Sequence, residues 1–205
     1  MSKKIRVVKM KKSEIIIIAL ILLLGVSALL NIGNLVSRDA ARQNAVIQIY
    51  SCFRDASINL DILIDNIEKG MVDDTANQGT IAMLSTDLVT ADTTLKRYAS
   101  WFPRAGLSYG AFPDFAHIAF TLGFSSGTVN GVGYDGVLLD NVISENETQY
   151  IVALRNDIAI IVSDMQSADN VNQNLSIRQL NAILNEFFRK WSYHDENSPF
   201  FLLHN

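Results

Sequence analysis

The chain has one cysteine in 205 residues, Cys52. A lone thiol excludes an internal disulfide framework and a cysteine-based zinc site. Its place in mid-chain also excludes the lipid-modified leading cysteine of a lipoprotein. Charge is scarce too: 19% of residues are charged against 49% hydrophobic, a balance that excludes an intrinsically disordered chain. Long period-two alternation of apolar and polar residues is missing, so no extended sheet is expected. The body also lacks a basic surplus. From Arg38 onward 20 acidic residues face 11 basic ones, and a balance of −9 would repel a phosphate backbone. Nucleic acid is excluded as a partner.

What is present divides the chain. Residues 1–14 hold Lys3, Lys4, Arg6, Lys9, Lys11 and Lys12 against Glu14 alone, a local balance of +5. Residues 15–37 then carry no charge and open with the run IIIIALILLLGVSALL. As a helix this segment reaches about 34 Å, enough to cross a hydrocarbon core of about 30 Å. By the positive-inside rule the basic arm stays in the cytoplasm and residues 38–205 lie outside. A cleaved signal is the competing reading, because Val26-Ser27-Ala28 offers small residues to a peptidase. Apolar residues continue past that point through Leu29, Leu30, Ile32, Leu35 and Val36, so an uncleaved single-pass anchor is expected. Gly33 and Ser37 allow close approach of a second span, and hence a homodimer.

The body is patterned in heptads. Val46, Ile49, Phe53, Ala56, Leu60, Leu63 and Ile67 repeat at alternating spacings of three and four, as do Ile81, Leu84, Leu88, Ala91, Leu95, Tyr98 and Phe102. Ile151, Leu154, Ile158, Ile161, Met165 and Ala168 form a third seam, and Ile177, Leu180, Leu184, Phe187 and Trp191 a fourth. Four seams predict four amphipathic helices. Lys69-Gly70 closes the first, Asp73 or Asp74 caps the second, and Ser144/Glu147 and Ser176/Gln179 read as capping boxes for the others. Short connections after the first and third helices imply antiparallel neighbours. The expected fold class is all-α: one N-terminal transmembrane helix continuing into an extracytoplasmic antiparallel four-helix bundle.

Residues 103–143 carry no heptad and hold seven of the 11 glycines. Unstructured connections longer than about 15 residues are usually functional or separately folded. Nine of the 18 aromatics lie from Tyr98 to Tyr134, and six more from Phe187 to Phe201. The bundle topology brings both groups to the membrane-proximal end, where rings with polar tips favour the headgroup region. Trp101, Phe102, Tyr109, Phe112, Phe115 and Phe124 are accordingly the candidate interaction surface. The alternative is that these rings close the open end of the bundle.

Chemical motifs are weak. Gly131, Gly133 and Gly136 spell G-x-G-x-x-G, but neither the strand before it nor the helix opening within it is indicated. Gly123, Ser125 and Gly127 spell G-x-S-x-G, with residues 118–122 as one short strand before the serine and Asp157 and His194 following in chain order. A nucleophile elbow needs a large sheet that the chain does not supply. Asp114 and His117 at i, i+3, with His194, Asp195 and Glu196 at the same end, offer a loose oxygen and imidazole set for a metal. Asn146 and Asn174 fit glycosylation acceptors. None of these makes a coherent catalytic set, so no cofactor or metal and no enzymatic activity is expected.

The layout resembles the four-helix extracytoplasmic domains of bacterial chemoreceptors and sensor kinases. That resemblance implies a ligand-binding role, with signalling through a partner, since the final apolar run at residues 199–203 is too short for a second span. The architecture, the aromatic base and the missing catalytic set favour instead a non-enzymatic accessory module of the cell envelope that docks on a membrane or envelope protein. A hydrolase using Ser125 is the third alternative.

Overall fold

The structure is a computed structural model and describes residues 12–71, 75–101, 115–123, 127–129, 132–137, 140, 142–168, 170–192, 195 and 197–203. The described chain is mostly helical. Its α-helices are α1 (Lys12–Glu68), α2 (Thr75–Trp101), α3 (Phe115–Thr121), α4 (Glu145–Asp164) and α5 (Ile177–Lys190). Among the described residues, sheet is confined to two antiparallel hairpins, β1 (Gly127–Val129) with β2 (Val132–Tyr134) and β3 (Gln166–Ser167) with β4 (Asn170–Val171). A 3₁₀ helix, Pro199–Leu203, ends the fold. The chain separates into two compact units, residues 1–42 and 43–205.

In the first unit, the part of α1 up to Arg42 is long and apolar enough to cross a membrane, as an anchor or as a signal sequence. Its apolar side chains point outward on every side: Ile16, Leu24 and Leu29 are 59%, 69% and 70% exposed.

The second unit is built on the heptad seams. Val46, Ile49, Phe53, Ala56, Leu60 and Leu63 of α1 are fully buried, as are Leu84, Leu88, Ala91, Leu95 and Tyr98 of α2. Ile151, Leu154 and Ile158 of α4 and Leu180 and Trp191 of the last seam are buried with them. Each buried Leu or Ile contributes about 1.5–3 kcal/mol. Polar ties fix how the helices meet. Asn59 Nδ2 on α1 donates to Asp87 Oδ2 on α2 at 3.0 Å, and Arg155 Nε on α4 donates to Asp61 Oδ1 on α1 at 2.7 Å. Gln166 Nε2 in β3 donates to the Tyr50 hydroxyl on α1 at 2.7 Å. Asn77, nearly fully buried, accepts from Asn66 Nδ2 at 2.9 Å and donates to the Met71 carbonyl, joining the end of α1 to the start of α2.

The helix ends obey local chemistry. Gly70 takes φ +78°, Met71 N–H donates to the Asn66 carbonyl, and Gly70 N–H donates to that of Ile67. This is a Schellman termination, and it needs the left-handed residue that glycine supplies without strain. Both capping boxes form: Ser144 with Glu147 opens α4, and Ser176 with Gln179 opens α5. The carboxyl and amide of the N3 residue return to the cap's backbone N–H, satisfying donors the helix leaves unpaired. Asp73 and Asp74 lie outside the described residues.

Three expectations are corrected. Residues 118–122 are not a strand: α3 runs to Thr121, because Phe115, Ile118, Ala119 and Leu122 fall at i, i+3, i+4 and i+7 and bury one helical face. Ala168 does not extend the third seam. α4 stops at Asp164, and Ala168 sits exposed at φ +48° in the two-residue turn of the β3–β4 hairpin. That conformation costs a non-glycine residue about 1–2 kcal/mol. Finally, residues 103–143 are not uniformly irregular, since they hold α3 and the β1–β2 hairpin. Tyr134 folds back over Gly127 so closely that a Cβ there would lie 2.7 Å from the phenol oxygen. A side chain at position 127 would require the Tyr134 ring to shift.

Replacing Leu88 or Ile158 by Asp puts a carboxylate into a site with no accessible surface. We expect a loss of about 4 kcal/mol or more and collapse of the cooperative thermal transition. Retention of the wild-type melting temperature, followed by helical circular dichroism, would refute this account of the core.

Candidate functional site

Of the six residues expected on an interaction surface, only Phe115 has a described side chain, and it is core. It is fully buried, with ring centroids 4.7 Å from Phe53, 4.9 Å from Phe187 and 5.2 Å from Phe188. The correction follows from α3, whose buried face begins at Phe115. Trp101 is the last residue of α2, while Phe102, Tyr109, Phe112 and Phe124 lie outside the described residues. Tyr98 and Tyr134 are buried as well, so these rings fill the core as the core-closing alternative expects.

One aromatic does the opposite. Phe120, on α3, is 63% exposed. Its position departs from the buried i, i+3, i+4, i+7 set, so the face that buries Phe115 turns Phe120 outward. Ser85 Oγ on α2 donates to the Ala119 carbonyl at 3.3 Å, tying α3 to α2 beside it. One turn beyond Ser85, Val89 is also exposed. Helical phase would have separated Phe120 from Phe115 in the sequence, had residues 115–121 been read as a helix.

A second feature lies between α4 and α5. A groove of about 470 Å³, open along one side, is lined on α4 by Asp157, Ile160, Ile161 and Asp164 and on α5 by Ile183, Glu186, Phe187 and Lys190. Arg189 and Asp195 complete its rim. At one end Asp157, 5% exposed, is held between two donors. Lys190 Nζ donates to Oδ1 at 2.7 Å, and Trp191 Nε1 donates to Oδ2 at 2.8 Å. Trp191 stacks on Phe187 at 5.4 Å and meets Tyr150 edge-on at 5.3 Å. Ile160 is 55% exposed over the groove. Among the described residues Asp164, Glu186 and Arg189 make no ion pair. A smaller hollow at the start of α4 is lined by Asp135, Asp140, Glu145 and Glu147. Two of its four carboxylates are engaged locally: Glu147 caps α4, and Asp140 accepts from the Val142 N–H.

The chemical motifs gain no common geometry. Ser125 and His194 lie outside the described residues, both Asp157 oxygens are taken by Lys190 and Trp191, and the element before Ser125 is a helix. Gly133 belongs to the antiparallel β1–β2 hairpin, not to a strand feeding a helix; Gly136 is buried, and Gly131 lies outside the described residues. His117 is on α3, whereas Asp114 and Glu196 fall outside the described residues. No three His, Cys, Asp or Glu side chains gather as metal ligands among the described residues. Cys52 is buried, and its thiol is pushed up to about 11, chiefly by burial and then by the Asp87 and Asp55 carboxylates. It is therefore a protonated, unreactive core group at neutral pH. Tyr150, fully buried, is raised by the same loss of solvent, against which its bond to Thr121 acts in the lowering direction. Thr121 Oγ1 lies 2.7 Å from the Ile118 carbonyl and shares a 2.6 Å hydrogen bond with the Tyr150 hydroxyl. This is a structural tie of α3 to α4.

Compared with known protein families, with curated proteins and with solved structures, the chain gives no match. The functional reading therefore rests on the residues themselves.

Two side chains yield tests. Asp157→Ala leaves the buried Trp191 N–H without its acceptor and frees Lys190 to solvent, and should cost about 2–3 kcal/mol in chemical denaturation. A cost below about 0.5 kcal/mol would deny Asp157 its role in joining α4 to α5. Asp87 is held above the ordinary carboxylate range by burial, partly opposed by the Asn59 hydrogen bond and reinforced by Asp55. Its charged form is therefore disfavoured in the fold. The associated stability is complete below the unfolded-state pKa and lost as pH rises through the folded one. Asp87→Asn, which keeps the acceptor for Asn59, should be the more stable protein at pH 7 by about 0.5 kcal/mol, a small figure because the carboxylate is partly solvated. That advantage should shrink as pH falls toward 4. An advantage independent of pH would refute the assignment.

Proposed function

We propose that the protein is a non-enzymatic docking module of the cell envelope, anchored by one membrane span with the N-terminus in the cytoplasm and the body outside. The +5 balance before the apolar segment supports this orientation. The continuity of α1 from Lys12 to Glu68, without a break at Val26-Ser27-Ala28, supports an anchor over a cleaved signal. The body is read as an antiparallel four-helix bundle of the second part of α1 with α2, α4 and α5. Its support is the four buried seams and the polar ties from α1 to α2, α1 to α4 and α4 to α5.

The observation that carries the docking function is Phe120. A phenylalanine left 63% exposed forgoes about 2 kcal/mol of burial, which a partner recovers on binding. It projects from the segment in which Trp101, Phe102, Tyr109, Phe112 and Phe124 also fall. These rings, without Phe115, form the proposed surface. A ligand-binding role has one observation in its favour, the α4–α5 groove, whose volume lies in the range of small-molecule sites.

Full-length protein taken from its native membrane in mild detergent after crosslinking should bring a membrane or envelope protein with it in near-stoichiometric amount. Phe120→Ser, alone or with Trp101→Ser and Phe112→Ser, should lower that recovery about tenfold, a loss of roughly 1.4 kcal/mol, while the single variant keeps its Tm. Equal recovery with the single and the triple variant would remove this surface. Recovery of the chain alone would favour ligand binding.

A further inference from the structure

We propose that the α4–α5 groove seats a basic amphipathic helix of the partner, an assignment that rests on the docking reading above. The groove has the geometry for it. Each wall supplies residues at i, i+3, i+4 and i+7, from Asp157 to Asp164 on α4 and from Ile183 to Lys190 on α5. Those positions line one side of each helix, so the channel runs along both for about 10 Å, or two turns of a third helix laid between them. Small-molecule sites enclose most of their ligand, whereas this groove is open along one side. An open channel with an apolar floor is the form that receives a helix by its apolar stripe.

The floor and rim then specify the occupant. Ile160 stands 55% exposed with Ile183 half-buried across from it, an apolar strip between the charged residues of the rim. The charges are unequal. Lys190 is spent on Asp157, leaving Asp164, Glu186 and Asp195 against Arg189. Among the described residues no cation pairs with Asp164 or Glu186, and the body as a whole carries −9. A helix with Lys or Arg beside Leu- or Ile-type residues would bury its stripe on Ile160 and Ile183 and pair its cations with Asp164 and Glu186. The same net charge speeds encounter with a cationic partner. An acidic or neutral helix would leave both carboxylates facing apolar or like-charged surface, and is rejected.

The test places a photo-crosslinking amino acid at Ile160, and separately at Phe120, in the full-length chain in its native membrane. The adduct at Ile160 should be a protein segment with apolar residues at helical spacing and more Lys and Arg than Asp and Glu when sequenced by mass spectrometry. Asp164→Lys with Glu186→Lys should cut that adduct at least tenfold and leave the Phe120 adduct within twofold. Both positions are exposed, so unchanged circular dichroism separates lost binding from lost folding. The neutral pair Asp164→Asn with Glu186→Gln should fall between, and added salt should weaken the wild-type adduct. An adduct to lipid, to a second copy of this chain or to a segment without basic excess would overturn the proposal, as would indifference to charge reversal. An adduct at Phe120 with none at Ile160 overturns the groove assignment alone. Adducts at neither position overturn the docking reading together with it.

Discussion

The irregular part of the body depends on Phe115. Its ring lies within about 5 Å of Phe53 on α1 and of Phe187 and Phe188 on α5, in a site with no accessible surface. Aromatic pairs at such distances add about 0.5–1.5 kcal/mol each beyond their burial. A seven-residue helix has no stability of its own in water, so α3 exists because Phe115, Ile118 and Leu122 are inserted among the longer helices. The Tyr150 hydroxyl bonded to Thr121 and the Ser85 hydroxyl bonded to Ala119 then fix its rotation against α4 and α2. Once that rotation is set, Phe120 has nowhere to go but outward.

A related constraint governs the joint between α4 and α5. Asp157 is a carboxylate with almost no exposure, and a buried charge is tolerated only when paired and hydrogen-bonded. Lys190 supplies the charge, and Trp191, anchored by Phe187 and Tyr150, supplies a second donor. The pair locks α5 to α4 and consumes the cation that would otherwise have neutralised the groove. The acidic character of the rim is thus a by-product of how the two helices are joined. In the proposed docking, structure and recognition would draw on the same lysine.

Much of this was legible in the sequence. The heptad seams identified the long helices, and Ser144/Glu147 and Ser176/Gln179 marked helix starts that the structure places at those caps. Cap and seam signals are local, which is why they can be read without a fold. The candidate surface was read less well. Position in the sequence puts Phe115 on the candidate surface and leaves Phe120 off it, the reverse of what the phase of α3 dictates, since five residues along a helix turn a side chain to the opposite face. The short α3 offered no long periodicity to reveal that phase. The β3–β4 hairpin was missed for a similar reason: Ala168 at the turn is not the glycine or asparagine that announces a left-handed residue. The Asp157–Lys190 pair, 33 residues apart, was invisible because nothing local predicts which helix faces meet.

Two of the exposed apolar positions outside the seams bear on the proposed docking by the same logic. In an amphipathic helix the residues that break the pattern are the ones the core does not explain. Phe120 on α3 and Ile160 on α4 are large, apolar and more than half exposed, while Leu122 and Ile158, two positions away in each case, are fully buried. Exposure on this scale at single positions is ordinary on protein surfaces. What distinguishes these two is their setting: one projects beside a fixed inter-helix contact, and the other lies in a channel edged by unpaired carboxylates. Apolar surface supplies affinity without direction, and the carboxylates supply direction without much affinity. On the docking reading proposed above, a surface that combines them would select a partner by charge and hold it by burial.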